Sequence, residues 1–159
     1  MRQQKGFSLI ELLLVVAIIL IIAAIAIPSF LRARIAANES AAASSLRTLN
    51  TAQISYYSAY PTVGFASVLS NLSGSCTGAT VPTSASACLI DSQLAGGIRS
   101  GYSFQLTNVT GTPSTSYNIL ASPVMFNYSG MNYFCSYEDA IVRHSTSSIA
   151  TCDSSIDPQ

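Results

Sequence analysis

Glu11 is the only charged residue between residues 7 and 30, and it lies in the most apolar segment of the chain. Residues 12–27, which follow it directly, are all apolar. An unpaired acid at the centre of a bilayer costs about 2.5–3.5 kcal/mol on insertion scales, so an ionisable residue in such a segment usually has a function and a partner. Because the segment contains no Lys or Arg, the partner of Glu11 must come from elsewhere.

The residues before Glu11 indicate where such a partner arises. Arg2 and Lys5 form a short basic leader that ends at Gly6. Cleavage of the Gly6–Phe7 bond would remove the leader and leave a new α-amino group on Phe7, which is a cation beside the apolar segment. We expect Glu11 to bind this amine on a neighbouring copy of the chain and so to set the register between subunits.

Residues 6–11, GFSLIE, with a basic leader before them and an apolar run after them, resemble the N-terminal signal of type IV pilins and type II secretion pseudopilins. The resemblance covers residues 1 to about 35. In that family a membrane-embedded prepilin peptidase cleaves after the glycine and methylates the new N-terminus, which here implies Gly6 and Phe7. The resemblance also implies an assembly role for Glu11, and Pro28 lies where the family often has a helix-kinking proline.

Two simpler interpretations of the N-terminus remain open. Ala24-Ile25-Ala26 imitates a signal-peptidase site, and cleavage there would release a secreted soluble binding protein that begins at Ile27. A helix of residues 7–27 would be about 31 Å long at 1.5 Å per residue, which matches a hydrocarbon core of roughly 30 Å and allows a plain membrane anchor. Neither interpretation gives Glu11 a role.

The other residues of the sequence give only weak indications of a catalytic, metal-binding or nucleic-acid-binding site. His144, Asp139 and nearby serines would allow a hydrolytic triad, but no GxSxG motif is present, so we predict no catalytic residue. Asp153 and Asp157 lack EF-hand spacing, and a single histidine without a CxxC motif argues against zinc, so we predict no metal and no cofactor. The formal net charge of zero gives no broad attraction to nucleic acid.

The four cysteines all lie beyond the apolar segment. An even number in a Ser- and Thr-rich region predicts two disulfides and an oxidising compartment. Of the three possible pairings we favour Cys76–Cys88 and Cys135–Cys152, because each closes a short local loop. Free buried thiols are the alternative.

The elements that must position these residues begin with one long helix. Pro28 predicts a kink rather than an end, and Tyr60-Pro61 predicts the end, which gives a helix over residues 7–60. Its second half is amphipathic. The face expected to pack on the rest of the chain contains Leu46, Leu49, Gln53 and Tyr57, with Ile54 beside it.

Shorter elements follow the helix. Apolar spacing predicts short helices, and alternation of apolar and polar residues predicts three or four antiparallel strands. The predicted helices cover residues 65–72 and 89–94, the second ended by Gly96-Gly97; the predicted strands cover residues 102–107, 117–121, 131–137 and 140–144, the last two turning at Glu138-Asp139.

These elements predict an α+β fold. A long N-terminal α-helical stalk, apolar in its first half and kinked near Pro28, would pack on a small antiparallel sheet head with disulfide-closed loops. The predicted organisation is a leader of residues 1–6, an apolar transmembrane and assembly helix of residues 7–30, an amphipathic helix half of residues 31–60 and a globular head of residues 61–159.

The leading hypothesis is a structural subunit, not an enzyme: the major pilin of a type IV pilus. It would lie in the inner membrane as a precursor and then polymerise through its N-terminal helix into an extracellular filament on the bacterial surface. Its partners would be further copies of itself, the prepilin peptidase, the inner-membrane pilus assembly machinery and, before assembly, the membrane, with no nucleic acid evident. A pseudopilin of a type II secretion system, a minor pilin and the soluble binding protein are the alternatives.

Overall fold

A computed structural model describes residues 6–74 and 81–159 of the chain. They form two compact units that divide between Arg34 and Ile35. One long helix, two one-turn helices and a five-stranded antiparallel sheet make up the regular structure of the described residues. This combination confirms the predicted α+β class.

Helix α1 (Leu9–Ala59) begins two residues later and ends one residue earlier than the sequence predicts. Alanine is its most frequent residue, and alanine and leucine, which together make up 20 of its 51 residues, are among the best helix formers. It ends before Tyr60-Pro61 because a proline disfavours helical backbone in the residue before it. The helix continues through Pro28, and the kink at that residue stays a prediction.

The sheet lies in the second unit, and its strands follow chain order, each antiparallel to the next. The described residues form five strands instead of the predicted three or four. The first strand was missed because it has only two residues and shows no alternation. The strands are β1 (Ile98–Arg99), β2 (Tyr102–Gly111), β3 (Ser114–Pro123), β4 (Tyr133–Tyr137) and β5 (Arg143–Ser145).

The turn between β4 and β5 is longer than predicted, since β5 begins at Arg143 and not at residue 140. The Asp139 carboxylate organises this turn. It accepts the Ile141 N–H at 3.0 Å and two guanidinium N–H groups of Arg143 at 3.1 and 2.6 Å. The guanidinium also lies 4.5 Å from the centre of the Tyr137 ring. Asp139 is therefore half of an ion pair that fixes the hairpin, in addition to being a turn residue.

The C-terminal tail covers the open edge of β5. The His144 N–H donates to the Asp157 carbonyl at 3.0 Å, and the Gln159 N–H donates to the Val142 carbonyl at 2.9 Å. These bonds satisfy backbone groups that an exposed edge strand would leave unpaired. The tail is thus a structural part of the sheet.

A disulfide joins Cys135 of β4 to Cys152 of the tail, with Cα atoms 5.7 Å apart, and this is the predicted pairing. Cys76 lies outside the described residues, so the Cys76–Cys88 pairing stays a prediction.

We expect the double variant Cys135→Ser/Cys152→Ser to lower the free energy of unfolding by about 3 kcal/mol, because opening a loop of this length releases chain entropy in the unfolded state. Denaturant unfolding of the detergent-solubilised full-length protein measures the change. A midpoint equal to that of the wild-type protein would show that the backbone bonds of the tail suffice without the disulfide.

One face of α1 in the second unit packs on the sheet and forms the core with it. The prediction that Tyr57 belongs to this face was wrong: Tyr56 is fully buried, whereas Tyr57 is 39% exposed and Ile54 is exposed too. Tyr56 and Tyr57 are three and four positions after Gln53, and residues at both spacings lie near Gln53 on the helix surface. Spacing alone therefore does not predict which tyrosine is buried. The buried helix residues are Ala42, Ala43, Ser45, Leu46, Leu49, Asn50, Ala52, Gln53 and Tyr56.

Two buried amides fix the register of the helix on its surroundings. The Asn50 amide donates to the Ser136 hydroxyl at 2.8 Å and accepts from the Tyr117 hydroxyl at 3.3 Å. Burial raises the pKa of Tyr117 to about 12, so its hydroxyl remains a donor at neutral pH. The Gln53 amide exchanges two hydrogen bonds with the backbone of Ala66, at 3.1 and 2.8 Å. A shifted helix would leave these groups buried without partners.

The two short helices are smaller than predicted. Helix α2 (Leu69–Leu72) lacks the first turn, because Val68 is extended and Phe65 lies outside it. Helix α3 (Ser92–Ala95) begins later than predicted because the Asp91 side chain caps it, accepting two backbone N–H groups of the first turn. It ends at Gly96, as the sequence predicts.

Candidate processing and assembly site

The predicted cleavage position lies immediately outside α1. Gly6, Phe7 and Ser8 precede the helix and have no regular secondary structure. Phe7 is 79% exposed, and no described heavy atom lies within 4 Å of the position that a Cβ of Gly6 would occupy. The Gly6–Phe7 peptide bond is therefore accessible and free of helical hydrogen bonds.

Ser8 and Glu11 together start the helix. The Glu11 carboxylate accepts the backbone N–H of Ser8 through Oε2 at 2.9 Å. This contact is half of a capping box, the S-x-x-E pattern in which the third helical residue satisfies the N–H of the cap residue. The negative charge in the first turn also complements the helix dipole. The spacing of Ser8 and Glu11 is a direct sequence signal for this capping role, which was not among the predicted roles of Glu11.

The cap leaves Glu11 able to bind a second group. Oε1 accepts no hydrogen bond from the described residues, and a carboxylate has room for several donors. The side chain is exposed. Glu11 can therefore hold the start of its own helix and accept an ammonium group from another molecule at the same time.

The helix after Glu11 presents apolar side chains on all sides. From Leu9 to Leu31 its large apolar residues are exposed. By length and composition α1 is able to cross a membrane, and none of the apolar window that qualifies it is buried. An apolar surface of this size does not stay in water, so it requires lipid or another apolar surface.

The structure brings together some of the predicted site residues and separates others. Gly6, Phe7 and Glu11 lie within the first turn of α1 or just before it. Pro28 lies about 26 Å from Glu11 along the same helix at 1.5 Å per residue, so it is far from the cleavage position, and its role in assembly stays a prediction. Asp139, which would have to orient His144 in a hydrolytic triad, instead pairs with Arg143.

Comparison with known proteins points to one family. Residues 1–27 match the model of the prokaryotic N-terminal methylation motif. The chain is 50% identical over 56 residues, 35% of its length, to the type IV major pilin protein PilA of Myxococcus xanthus. It is 62% identical over 39 residues, 24% of its length, to the type IV wide pilus major component PilA4 of Thermus thermophilus.

These similarities are local. The matched stretches span 26% and 30% of the two relatives. No solved structure matches the chain. Residues 1–27 carry the prokaryotic N-terminal methylation motif, and the matched part of the chain is similar to the major subunits of type IV pili.

Proposed function

We propose that this chain is the major structural subunit of a type IV pilus. Residues 1–6 are a leader that a prepilin peptidase removes, and the mature chain begins at an N-methylated Phe7. Residues 7–30 anchor the precursor in the inner membrane and later form the filament interior. The observation that carries the proposal is the unburied apolar surface of α1 directly after an accessible Gly6–Phe7 bond.

The exposed apolar helix explains why one surface serves two environments. Before assembly, lipid chains cover it; after assembly, the helices of neighbouring subunits cover it. Lipid tails and aliphatic side chains are similarly apolar, so the transfer costs little free energy and packing between helices can drive it. A soluble protein released after Ala26 would lose this surface, and the exposed bond at Gly6–Phe7 would have no purpose.

Glu11 sets the register between neighbouring subunits when the helix moves from the membrane into the filament. Cleavage creates an ammonium group on Phe7, and an unpaired ammonium group in an apolar filament interior is costly. The unoccupied Oε1 of Glu11 on a neighbouring copy can accept it while Oε2 keeps the Ser8 N–H. A charge-assisted bond of this kind is about twice as strong as a bond between neutral groups. Only a stagger that aligns Phe7 of one copy with Glu11 of the next pairs both charges.

The remaining partners and location follow from this assembly. The precursor lies in the inner membrane, where the peptidase and the pilus assembly machinery act on it. The second unit, with its disulfide and its Ser- and Thr-rich, weakly charged sequence, suits the outside of an extracellular filament. Residues 31–60 form the amphipathic half of the helix, and residues 61–159 form the globular head.

Substitution of Gly6 tests the processing step. We expect Gly6→Leu to leave residues 1–6 attached and to stop filament formation, because a bulky side chain blocks the peptidase at the cleavage position. Gly6→Ala should have a milder effect. The measurements are the intact mass of the protein in the membrane fraction and the yield of filaments sheared from the same cells. Normal filaments that contain the uncleaved Gly6→Leu chain would contradict the proposal.

A further inference from the structure

The connection between β3 and β4, residues 124–132, exposes five large apolar side chains. We call it the β3–β4 loop. Each of these side chains is 50–60% exposed. No charged residue occurs between residues 100 and 137, so neither the loop nor its flanking strands carry a charge. Neighbouring apolar side chains on a surface often mark an interaction site. The exposed residues are Val124, Met125, Phe126, Tyr128 and Met131.

The backbone of the β3–β4 loop is well fixed despite this exposure. The Ser129 N–H donates to the Met125 carbonyl at 2.9 Å, and the Asn127 N–H donates to the Gly130 carbonyl at 3.0 Å. Gly130 packs directly against the Tyr102 ring, which leaves no space for a side chain there. A loop that is already ordered loses little conformational entropy when it binds.

Two polar side chains of α1 fasten the loop from the side. The Asn38 amide donates to the Ser129 carbonyl at 2.9 Å. The Glu39 carboxylate accepts the backbone N–H groups of Met131 and Asn132 at 2.8 and 3.0 Å, and the Asn132 amide at 2.9 Å. The charge of Glu39 is thus used to hold a loop whose own apolar side chains remain exposed.

The size of the apolar surface restricts what it can bind. Five half-exposed side chains offer on the order of 400–500 Å², whereas a specific interface buries about 800 Å² on each partner. The β3–β4 loop is therefore too small to hold two molecules together alone. It is large enough to add to an interface whose main part lies elsewhere in the chain.

The chemistry of the loop favours another copy of this chain over a membrane surface. An anionic membrane surface is bound by Lys and Arg, and the loop has neither. Among the described residues, a second large apolar surface is the exposed part of α1, which has no charge from residue 12 to residue 31. The apolar side chains on both surfaces are uncharged, and the nearby Glu39 carboxylate keeps the three hydrogen bonds that it accepts from Met131 and Asn132.

Resting on the proposed filament function, we infer that the β3–β4 loop of one subunit docks on the apolar helix of a second copy, within residues 12–31, as the filament assembles. The helices supply most of the interface. The loop adds a contact that forms only when the subunits are correctly staggered.

Photo-cross-linking tests the contact directly. Benzoylphenylalanine in place of Phe126, in an otherwise wild-type full-length chain, should give a cross-linked dimer on irradiation of assembled filaments. The cross-linked peptide should lie within residues 12–31 of the second copy, and the unassembled precursor in detergent should give no dimer. Cross-links to lipid, to a different protein or to residues 35–159 of the second copy would overturn the inference, as would the absence of any dimer.

A matched pair of variants tests the contribution of the loop. Met125→Ser/Phe126→Ser should lower the yield of sheared filaments about tenfold, which corresponds to about 1.4 kcal/mol. The intact mass should differ from that of the wild-type chain only by the two substitutions, and the thermal midpoint of the full chain should be unchanged. Ile98→Ser, which removes another exposed apolar side chain (63% exposed), should keep the wild-type yield. Wild-type yield from the double variant, or equal losses from both, would contradict the docking contact.

The two proposals fail in different ways. If the wild-type chain forms no filaments, the proposed function is wrong. If filaments form and the double variant assembles normally, only the docking inference is wrong. If the double variant has a lower thermal midpoint than the wild-type protein, its filament yield cannot be assigned to the docking contact. The cross-link at position 126 then tests the docking inference, because that experiment removes no apolar surface from the loop.

Discussion

Glu11→Ala is expected to leave the precursor in the membrane and to abolish filaments. Removal of an acid from an apolar helix makes insertion easier, and the peptidase should still cleave the Gly6–Phe7 bond. Assembly should fail because the ammonium group of an incoming Phe7 would enter an apolar filament interior without a partner. Filament yield should therefore fall far below the wild-type level while the amount of membrane protein does not.

Two further variants separate docking from helix capping, because Glu11 also accepts the Ser8 N–H. Glutamine serves at this position of a capping box as well as glutamate does, so Glu11→Gln should keep the cap and still lose assembly. Glu11→Asp keeps the charge on a shorter side chain and should be intermediate.

For each Glu11 variant, the measurements are the amount of protein in the membrane fraction and the yield of filaments sheared from the same cells. Normal filaments from Glu11→Gln, together with a loss of filaments from Glu11→Ala, would show that the helix cap is needed for assembly and the charge of Glu11 is not. A loss of membrane protein in step with filaments would point to defective insertion.

Arg143→Met should destabilise the globular unit by about 2–3 kcal/mol. The Arg143 side chain is 7% exposed and its partner Asp139 is 25% exposed, so methionine would fill the space but leave a largely covered carboxylate without its cation. Denaturant unfolding of the full-length protein at neutral pH measures the loss. The control is Arg99→Met, whose pair with Asp91 is about half exposed and should contribute less than about 1 kcal/mol. Equal effects in both variants would contradict this assignment.

The same ion pair predicts a dependence on pH. Burial alone would raise the pKa of Asp139, but hydrogen bonds from the Arg143 guanidinium, the Ile141 N–H and the Tyr137 hydroxyl lower it below its ordinary value. A carboxyl with a lowered pKa stabilises the folded state above its unfolded pKa of about 3.9 and loses this contribution as the pH falls through its folded pKa. Wild-type protein should therefore lose more stability than Arg143→Met on acidification from neutral pH to below that range.

Much of the fold could be predicted because its signals are local. Helix α1 follows from a long run of helix-forming residues ended by Tyr60-Pro61. The alternation that predicted strands at residues 102–107 and 117–121 covers only part of β2 and β3, which are longer. The choice of Tyr56 over Tyr57 depends on how the helix turns against the sheet, and no spacing rule contains that information. Strand β1 has two residues, so it exists only through its pairing with β2.

The functional residues likewise fall into those that could be predicted from the sequence and those that could not. Gly6, Phe7 and Glu11 could be found because they form a contiguous pattern at the start of an apolar run, and Ser8 could have been added from the capping spacing. The fastening of the β3–β4 loop could not be found, since Glu39 and Asn132 are distant in sequence and meet only after folding. Glu39 in the sequence is simply an acid on a helix.

If this chain becomes a filament subunit by cleavage before Phe7, the intact mass of the chain from purified sheared filaments will show it. We expect the mass of residues 7–159 with one added methyl group and two fewer hydrogens for each disulfide. A chain that retains residues 1–6, a chain that begins at Ile27, or filaments without this chain would contradict it.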